Sequence, residues 1–235
     1  MSVTKLYNAW FCPFGQRAWI ALIHKGVDFE YVEQNPYDKT PEWLAVNPRG
    51  LVPTIVNNGH SVYDSFICVE YVDEAWPNSK NLLPKDPYQR AWARIWSDHI
   101  SKKIVPSYYA VLMKKNEEER EHYKQELLTA VSLISDNMSE EGPFFLGTDF
   151  GMVDIMLAPF AQRLDVVMKH FRNFGIPDNE MFARYHRWWK AVQEVPSFKA
   201  TVQPEEKLRN LYQRYADGTA TWEVAEAIRK GTTLP

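Results

Sequence analysis

The spacing of apolar residues changes once along this 235-residue chain, near residue 80, and the change divides it into an α/β segment followed by an all-helical one. Val3–Tyr7 reads as a strand. Pro13–Lys25 reads as a helix whose buried side is Ala18, Ile20, Ala21, Leu22 and Ile23, and Phe29–Glu33 as a second strand. Pro41–Val46 follows as a short helix, Val52–Val56 and Ser61–Tyr63 as two further strands, and Ser65–Ala75 as a helix. Asn57-Asn58-Gly59-His60 joins the last strand pair, and its Asn-Gly step supplies the positive-φ residues that a tight hairpin demands. Strand, helix, strand and then a hairpin imply a mixed sheet with helices on its faces.

Past Trp76-Pro77-Asn78-Ser79 the strand signal disappears. Asp86-Pro87 places a capping residue ahead of a proline at a first helical turn. Tyr88, Trp92, Ile95, Trp96, His99 and Ile100 then recur at three- and four-residue steps, as do Leu127, Leu128, Val131, Ile134 and Met138. Both stripes are expected to face the core of a bundle. The organisation is a domain over residues 1–79, a connector over 80–87 and a helical domain over 88–235.

Chemistry concentrates in Phe11-Cys12-Pro13-Phe14-Gly15-Gln16-Arg17. Cys12 falls where the first strand hands over to the first helix, with Pro13 at a position where its missing N–H costs nothing. Unpaired backbone N–H groups and the positive end of the helix dipole favour thiolate there, so the expected shift of the thiol pKa is downward. Gly15 stands where a Cys-x-x-Cys pair would carry its second cysteine, so a disulfide at this site must form with an outside thiol. Buried apolar packing is the other reading of Cys12, and it is the preferred one for Cys68, which lies between Ile67 and Val69.

Two cysteines argue for a reducing compartment and against a disulfide-stapled domain. With no charged-then-apolar leader and no apolar run of membrane-spanning length, the expected location is cytoplasmic. The net charge of -3 is spread evenly: residues 1–85 carry 7 Lys+Arg and 9 Asp+Glu. That balance favours neither nucleic acid nor an anionic membrane surface. The six histidines and two cysteines show no metal-ligand spacing, so no metal is expected.

A small α/β domain with a thiol at its first helix, followed by an all-helical domain, resembles the cytosolic glutathione transferases over nearly the whole chain. Cys12-Pro13-Phe14, Asn47-Pro48-Arg49-Gly50-Leu51-Val52-Pro53, Tyr63-Asp64-Ser65-Phe66-Ile67-Cys68-Val69-Glu70-Tyr71 and the connector Leu82-Leu83-Pro84-Lys85-Asp86-Pro87-Tyr88 are similar to the omega class in particular. The resemblance implies a thioredoxin-like first domain that binds glutathione. In it Leu51, Val52 and Pro53 form a cis-proline segment whose Val52 backbone pairs with the tripeptide. Asp64 and Ser65 open a helix toward the γ-glutamyl carboxylate, and Phe14 approaches the bound sulfur. Tyr108, Tyr109 and Trp188 would line an acceptor pocket, and two chains would form a homodimer. From the residues alone, each of these positions also fits a core or capping role.

Three departures from the omega pattern stand out. Thr40 replaces a lysine, with Lys39 one residue earlier; Arg49 replaces an aromatic residue; and Gly151 occupies the Ser/Thr position of a capping box that ends at Asp154. The cationic contact to glutathione is therefore either lost or supplied by Lys39, Arg49 pairs with a glutathione carboxylate or with a protein acid, and Asp154 is expected to be structural.

The activity implied is glutathione-dependent thiol exchange through a Cys12-glutathione mixed disulfide. Dehydroascorbate reduction, deglutathionylation and reductive cleavage of glutathione adducts are the reactions it would serve. A conjugating enzyme would instead hold glutathione with a hydroxyl, for which Tyr7 is the candidate. The alternative of another class is a non-catalytic carrier of hydrophobic ligands in the same fold.

Overall fold

In a computed structural model that describes residues 3–234, strands β1 (Thr4–Asn8), β2 (Phe29–Glu33), β3 (Thr54–Asn57) and β4 (His60–Tyr63) form one mixed sheet in the order β2-β1-β3-β4. β1 runs parallel to β2, with Leu6 opposite Tyr31, and antiparallel to β3, with Leu6 opposite Ile55. β3 and β4 are the expected hairpin, and Asn58 and Gly59 adopt the positive φ values its turn requires. β3 begins at Thr54, later than the sequence suggested, because the two residues before it form the cis Val52-Pro53 segment outside the ladder.

Helices α1 (Pro13–His24), α2 (Pro41–Val46) and α3 (Ser65–Ala75) belong to this domain. Alternation along β1 sends Leu6 into the large core with α1 and α3, while Tyr7 packs on Trp43 of α2 across the other face, with ring centroids 5.5 Å apart. Tyr7 therefore packs against α2 and not against α1, as the alternation of the strand requires.

The helical domain contains α4 (Pro87–His99), α5 (Val105–Met113), α6 (Glu117–Asp136), α7 (Met152–Arg163), α8 (Lys169–Arg172), α9 (Ala183–Glu194), α10 (Pro196–Lys199), α11 (Glu205–Ala216) and α12 (Glu223–Lys230). A π-helical stretch, Ile100–Ile104, joins α4 to α5 just ahead of Pro106, whose ring displaces the carbonyl one turn back. One apolar core runs through both domains, since α1 packs on α3, α7 and α10 together. The α6 stripe is buried as expected at Leu127, Val131, Ile134 and Met138. The α4 stripe divides: Trp96 and Ile100 are buried, but Tyr88 and Ile95 are 72% and 56% exposed because they turn away from the bundle.

Two buried carboxylates, Asp73 and Asp154, hold the connector and the helical domain respectively. Lys25 Nζ donates to Asp73 Oδ1 at 3.0 Å, and the same carboxylate accepts the backbone N–H groups of Leu82 and Leu83, so the connector is pinned to α1 and α3 at once. Asp154 accepts from Gly151 N at 2.9 Å, Phe145 N at 2.9 Å and Trp188 Nε1 at 2.7 Å. Burial is the largest influence on its pKa and pushes it up to about 6 against those donors. Gly151 at the capping position has a steric reason: a Cβ there would lie 2.9 Å from the Leu82 carbonyl oxygen. Asp154→Ala would strand three buried donors, and is expected to cost about 3 kcal/mol or more of stability, read as a lowered urea midpoint, with the reactivity of Cys12 in the remaining folded protein unchanged.

Candidate functional site

Cys12 caps α1, and its Sγ accepts the Gly15 N–H at 3.4 Å. Its own N–H donates to Ala9 O at 2.9 Å, and its carbonyl accepts from Gln16 N at 2.9 Å, so the turn carrying the thiol is fixed at both ends. On the open side the sulfur lies 3.9 Å from the Val52 carbonyl oxygen, next to the cis Val52-Pro53 bond. Gly15 is enforced by packing: a Cβ would fall 1.6 Å from Oδ1 of Asn8, whose side chain is fully buried at the end of β1. The position that a second redox cysteine would occupy is thus closed to any side chain.

The thiol pKa departs from the sequence expectation. Burial pushes it up, and the N–H groups of Gly15 and Phe14 and the charges of Arg163 and Arg17 pull it down without overcoming that effect. Local helix geometry favours thiolate as anticipated, but the apolar packing on Cys12 includes Trp43 and Val52, which lie far from it in sequence.

Cys12 opens onto a cleft of about 650 Å³ in which Phe14, Leu51, Val52, Pro53, Asp64 and Ser65 also appear. Asp64 caps α3 through bonds from Phe66 N at 2.9 Å and Ile67 N at 3.4 Å, and it does so with a φ of 78°, a strained conformation for a residue with a Cβ. Ser65 is buried, and its Oγ accepts from Nη1 of Arg17 at 3.1 Å. Arg17 is fully buried between the rings of Phe14 and Phe160, each 5.2 Å from its guanidinium carbon, and its Nη2 has no partner. Nothing in the sequence reading assigned Arg17 a role. The available signal was a charged residue in a helix whose remaining positions are mostly small or apolar.

Tyr108, Tyr109 and Trp188 do not line the cleft. Tyr108 and Tyr109 are 0% and 2% exposed and pack edge-on against Phe160, and Trp188 is 0% exposed with its indole N–H on Asp154. Their helices present them inward because other helices cover those faces. Trp189 is likewise packed, donating to Asp165 at 2.5 Å. Tyr7, the hydroxyl candidate, is absent from the cleft lining as well.

The aromatic wall comes from elsewhere. Tyr37 and Trp222 stack with centroids 4.4 Å apart and planes 6° from parallel, and Phe11 stacks on Trp222 at 5.8 Å. Tyr215 meets Trp222 edge-on and completes the wall. Beside the stack Lys39 Nζ bonds both Glu223 Oε1 and the Arg49 carbonyl at 2.9 Å, so its charge is already engaged within the protein. Arg49 lines the cleft. The segment around α12 therefore contributes Trp222, Glu223 and Val224 to the cleft onto which the thiol opens. Trp222→Ala removes two stacked pairs worth about 0.5–1.5 kcal/mol each, so alkylation of Cys12 is expected to quicken roughly tenfold, as measured by iodoacetamide kinetics.

Among the described residues no group of His, Cys, Asp and Glu side chains could hold a metal ion, and no helix is long and apolar enough to cross a membrane. Residues 11–75 match the family model of the glutathione S-transferase N-terminal domain, and residues 117–191 that of the C-terminal domain. Glutathione S-transferase U22 of Arabidopsis thaliana is 38% identical over 172 residues, which are 73% of this chain and 78% of that protein. Glutathione S-transferase 3 of Glycine max is 32% identical over 88% of this chain and 92% of its own length. Among solved structures, glutathione transferase Omega 3C from Trametes versicolor superposes with a TM-score of 0.81 at 33% identity, covering 91% of each chain. The Tau class enzyme MiGSTU from mango, Mangifera indica, gives 0.84 at 29% identity, covering 91% of this chain and 99% of its own. The similarity thus reaches both Tau-class and omega-class members, and with its thioredoxin-like domain, helical domain and relatives of nearly full length the chain belongs to the glutathione S-transferase family.

Proposed function

We propose that this protein exchanges glutathionyl groups through Cys12, in the manner of a cysteine-type, omega-like thioltransferase. The observation that carries the reading is a thiol at the cap of α1, bonded to the Gly15 N–H and opening onto the cleft that holds Val52-Pro53 and Asp64-Ser65. Glutathione would lie extended, its γ-glutamyl carboxylate toward Ser65 and Arg17 and its cysteinyl backbone along Val52. The acceptor, a flat hydrophobic group or the aryl part of an adduct, would rest on Tyr37, Tyr215 and Trp222.

The thiol first loses its proton to solvent. Its sulfur then attacks the glutathionyl sulfur of a mixed disulfide, forming Cys12–SG and releasing the substrate as thiolate. A second glutathione thiolate attacks Cys12–SG, and the products are oxidised glutathione and the Cys12 thiolate. In the net exchange one glutathione thiolate joins the substrate's own glutathionyl group as oxidised glutathione, the substrate sulfur is reduced to a thiol, and Cys12 ends as it began.

A second reading, conjugation of glutathione to an electrophile, rests on the Tau-class relatives. There Cys12 and the Gly15 N–H would hold the glutathione sulfur without bonding to it. A third reading, ligand carriage without turnover, rests on the aromatic wall alone. The exposed Ile67, Tyr88 and Ile95 on α3 and α4, elements already linked by Arg94–Glu70, offer a face for a second copy of the chain, and a reducing cytoplasm suits the free thiols.

Intact mass after incubation with oxidised glutathione decides among these readings. Exchange predicts a single glutathionyl addition that dithiothreitol removes and that Cys12→Ser abolishes. A protein that takes no adduct yet couples glutathione to an aryl halide supports conjugation. One that does neither but binds a fluorescent aryl ligand equally in wild-type and Cys12→Ala forms supports the carrier.

A further inference from the structure

Arg163 closes α7 in the helical domain and is 1% exposed, yet among the described residues it makes no ion pair with a carboxylate. Its partners are all neutral. Nη2 donates to the Phe11 carbonyl at 2.9 Å, and Nη1 to Gln16 Oε1 at 2.7 Å and the Pro159 carbonyl at 2.8 Å. Nε donates to the Tyr212 hydroxyl at 2.8 Å. Phe11 immediately precedes the thiol, and Gln16 lies one helical turn after it. The guanidinium fork therefore grips both ends of the turn that presents Cys12. Gln16 carries the grip further, since its Nε2 donates to Gln162 Oε1 and Thr201 Oγ1, each at 3.1 Å.

A fully buried cation is costly unless something nearby balances it, and neutral acceptors do so only in part. The ionisable groups that face Cys12 are Arg17 of α1, Arg163 itself, and the phenols of Tyr31, Tyr37, Tyr109, Tyr212 and Tyr215. Burial keeps all five phenols neutral at ordinary pH, and the groups that act on Arg163 are themselves buried phenols, those of Tyr108, Tyr109 and Tyr212. The one neighbour that becomes an anion in the working cycle is the thiol.

We propose that Arg163 is the positioning residue of the Cys12 turn: it fixes the Phe11 carbonyl and Gln16 from the helical domain and supplies the buried positive charge that the Cys12 thiolate balances. The inference builds on the thiol chemistry above, but its test reads the thiol with no glutathione present, so the two fail separately.

The test is the pH dependence of the rate of Cys12 alkylation by iodoacetamide, followed by peptide mass to exclude Cys68, in wild type, Arg163→Gln and Arg163→Lys. Arg163→Gln is expected to raise the midpoint by about one pH unit, a roughly tenfold loss of thiolate below it. Arg163→Lys keeps the charge but loses the fork, so it is expected to hold the wild-type midpoint while its plateau rate falls several-fold. A folded Arg163→Gln with the wild-type midpoint overturns the proposal. If that variant does not fold, Arg163→Lys alone decides: a plateau equal to wild type, or a midpoint moved up by a full unit, overturns it. A purely structural role would lower the melting temperature and leave both midpoint and plateau where they are.

Discussion

Two guanidinium groups lie buried around the turn that carries Cys12, Arg17 from the same helix and Arg163 from the other domain, and among the described residues neither makes an ion pair with a carboxylate. Charge of this kind survives burial only where acceptors are held in place around it, and α1 is central to that arrangement. Its Gln16 joins Arg163 to Thr201 and Gln162, its Phe14 flanks Arg17, and its far end binds His24 to Ser197 at 3.1 Å. The helix is therefore a polar seam inside an apolar core, and the two domains must be docked for it to be satisfied. A thiol at the start of such a helix inherits a geometry that neither domain provides alone.

The cleft has two walls of different origin. One is backbone and short polar side chains from the thioredoxin-like domain: the Val52 carbonyl, Ser65, and the capped start of α3 at the strained Asp64. The other is aromatic, made of Tyr37, Tyr215 and Trp222, with Phe11 stacked on Tyr37 and Trp222, and it is fastened by the Lys39–Glu223 pair beside it. The first wall suits an extended peptide and the second a flat apolar group. Packing of the thiol against Ala9, Trp43 and Val52 accords with a pKa pushed up despite its place at a helix N-terminus: desolvation acts on the whole charge, whereas the N–H groups of Gly15 and Phe14 and the charges of Arg163 and Arg17 recover only part of it.

Much of this was legible in the order of the residues. The strand, helix and hairpin succession up to Ala75, the cap at Asp86 before Pro87, and the thiol at the start of α1 all follow from preferences that operate within a few residues. The aromatic positions were less legible. Tyr108, Tyr109 and Trp188 lie on apolar helix faces, and periodicity identifies such faces without saying whether a ligand or another helix will cover them. Arg17 and Arg163 escaped notice for the converse reason, since a charged residue in a pattern is read as solvated until tertiary packing closes over it.

The sequence by itself determined the succession of elements, the turn chemistry at Asn58-Gly59, the capping of the helices, and the place of Cys12 at a helix start with no second cysteine beside it. These are local matters of dihedral preference and short-range hydrogen bonding. The tertiary structure decided which aromatics face the thiol, which way burial shifts it, and which charges surround it. Those depend on contacts such as Phe11 with Arg163, 152 residues apart, and Gln16 with Thr201, 185 residues apart. Desolvation and electrostatic fields are sums over everything nearby in space, and no window of sequence contains them.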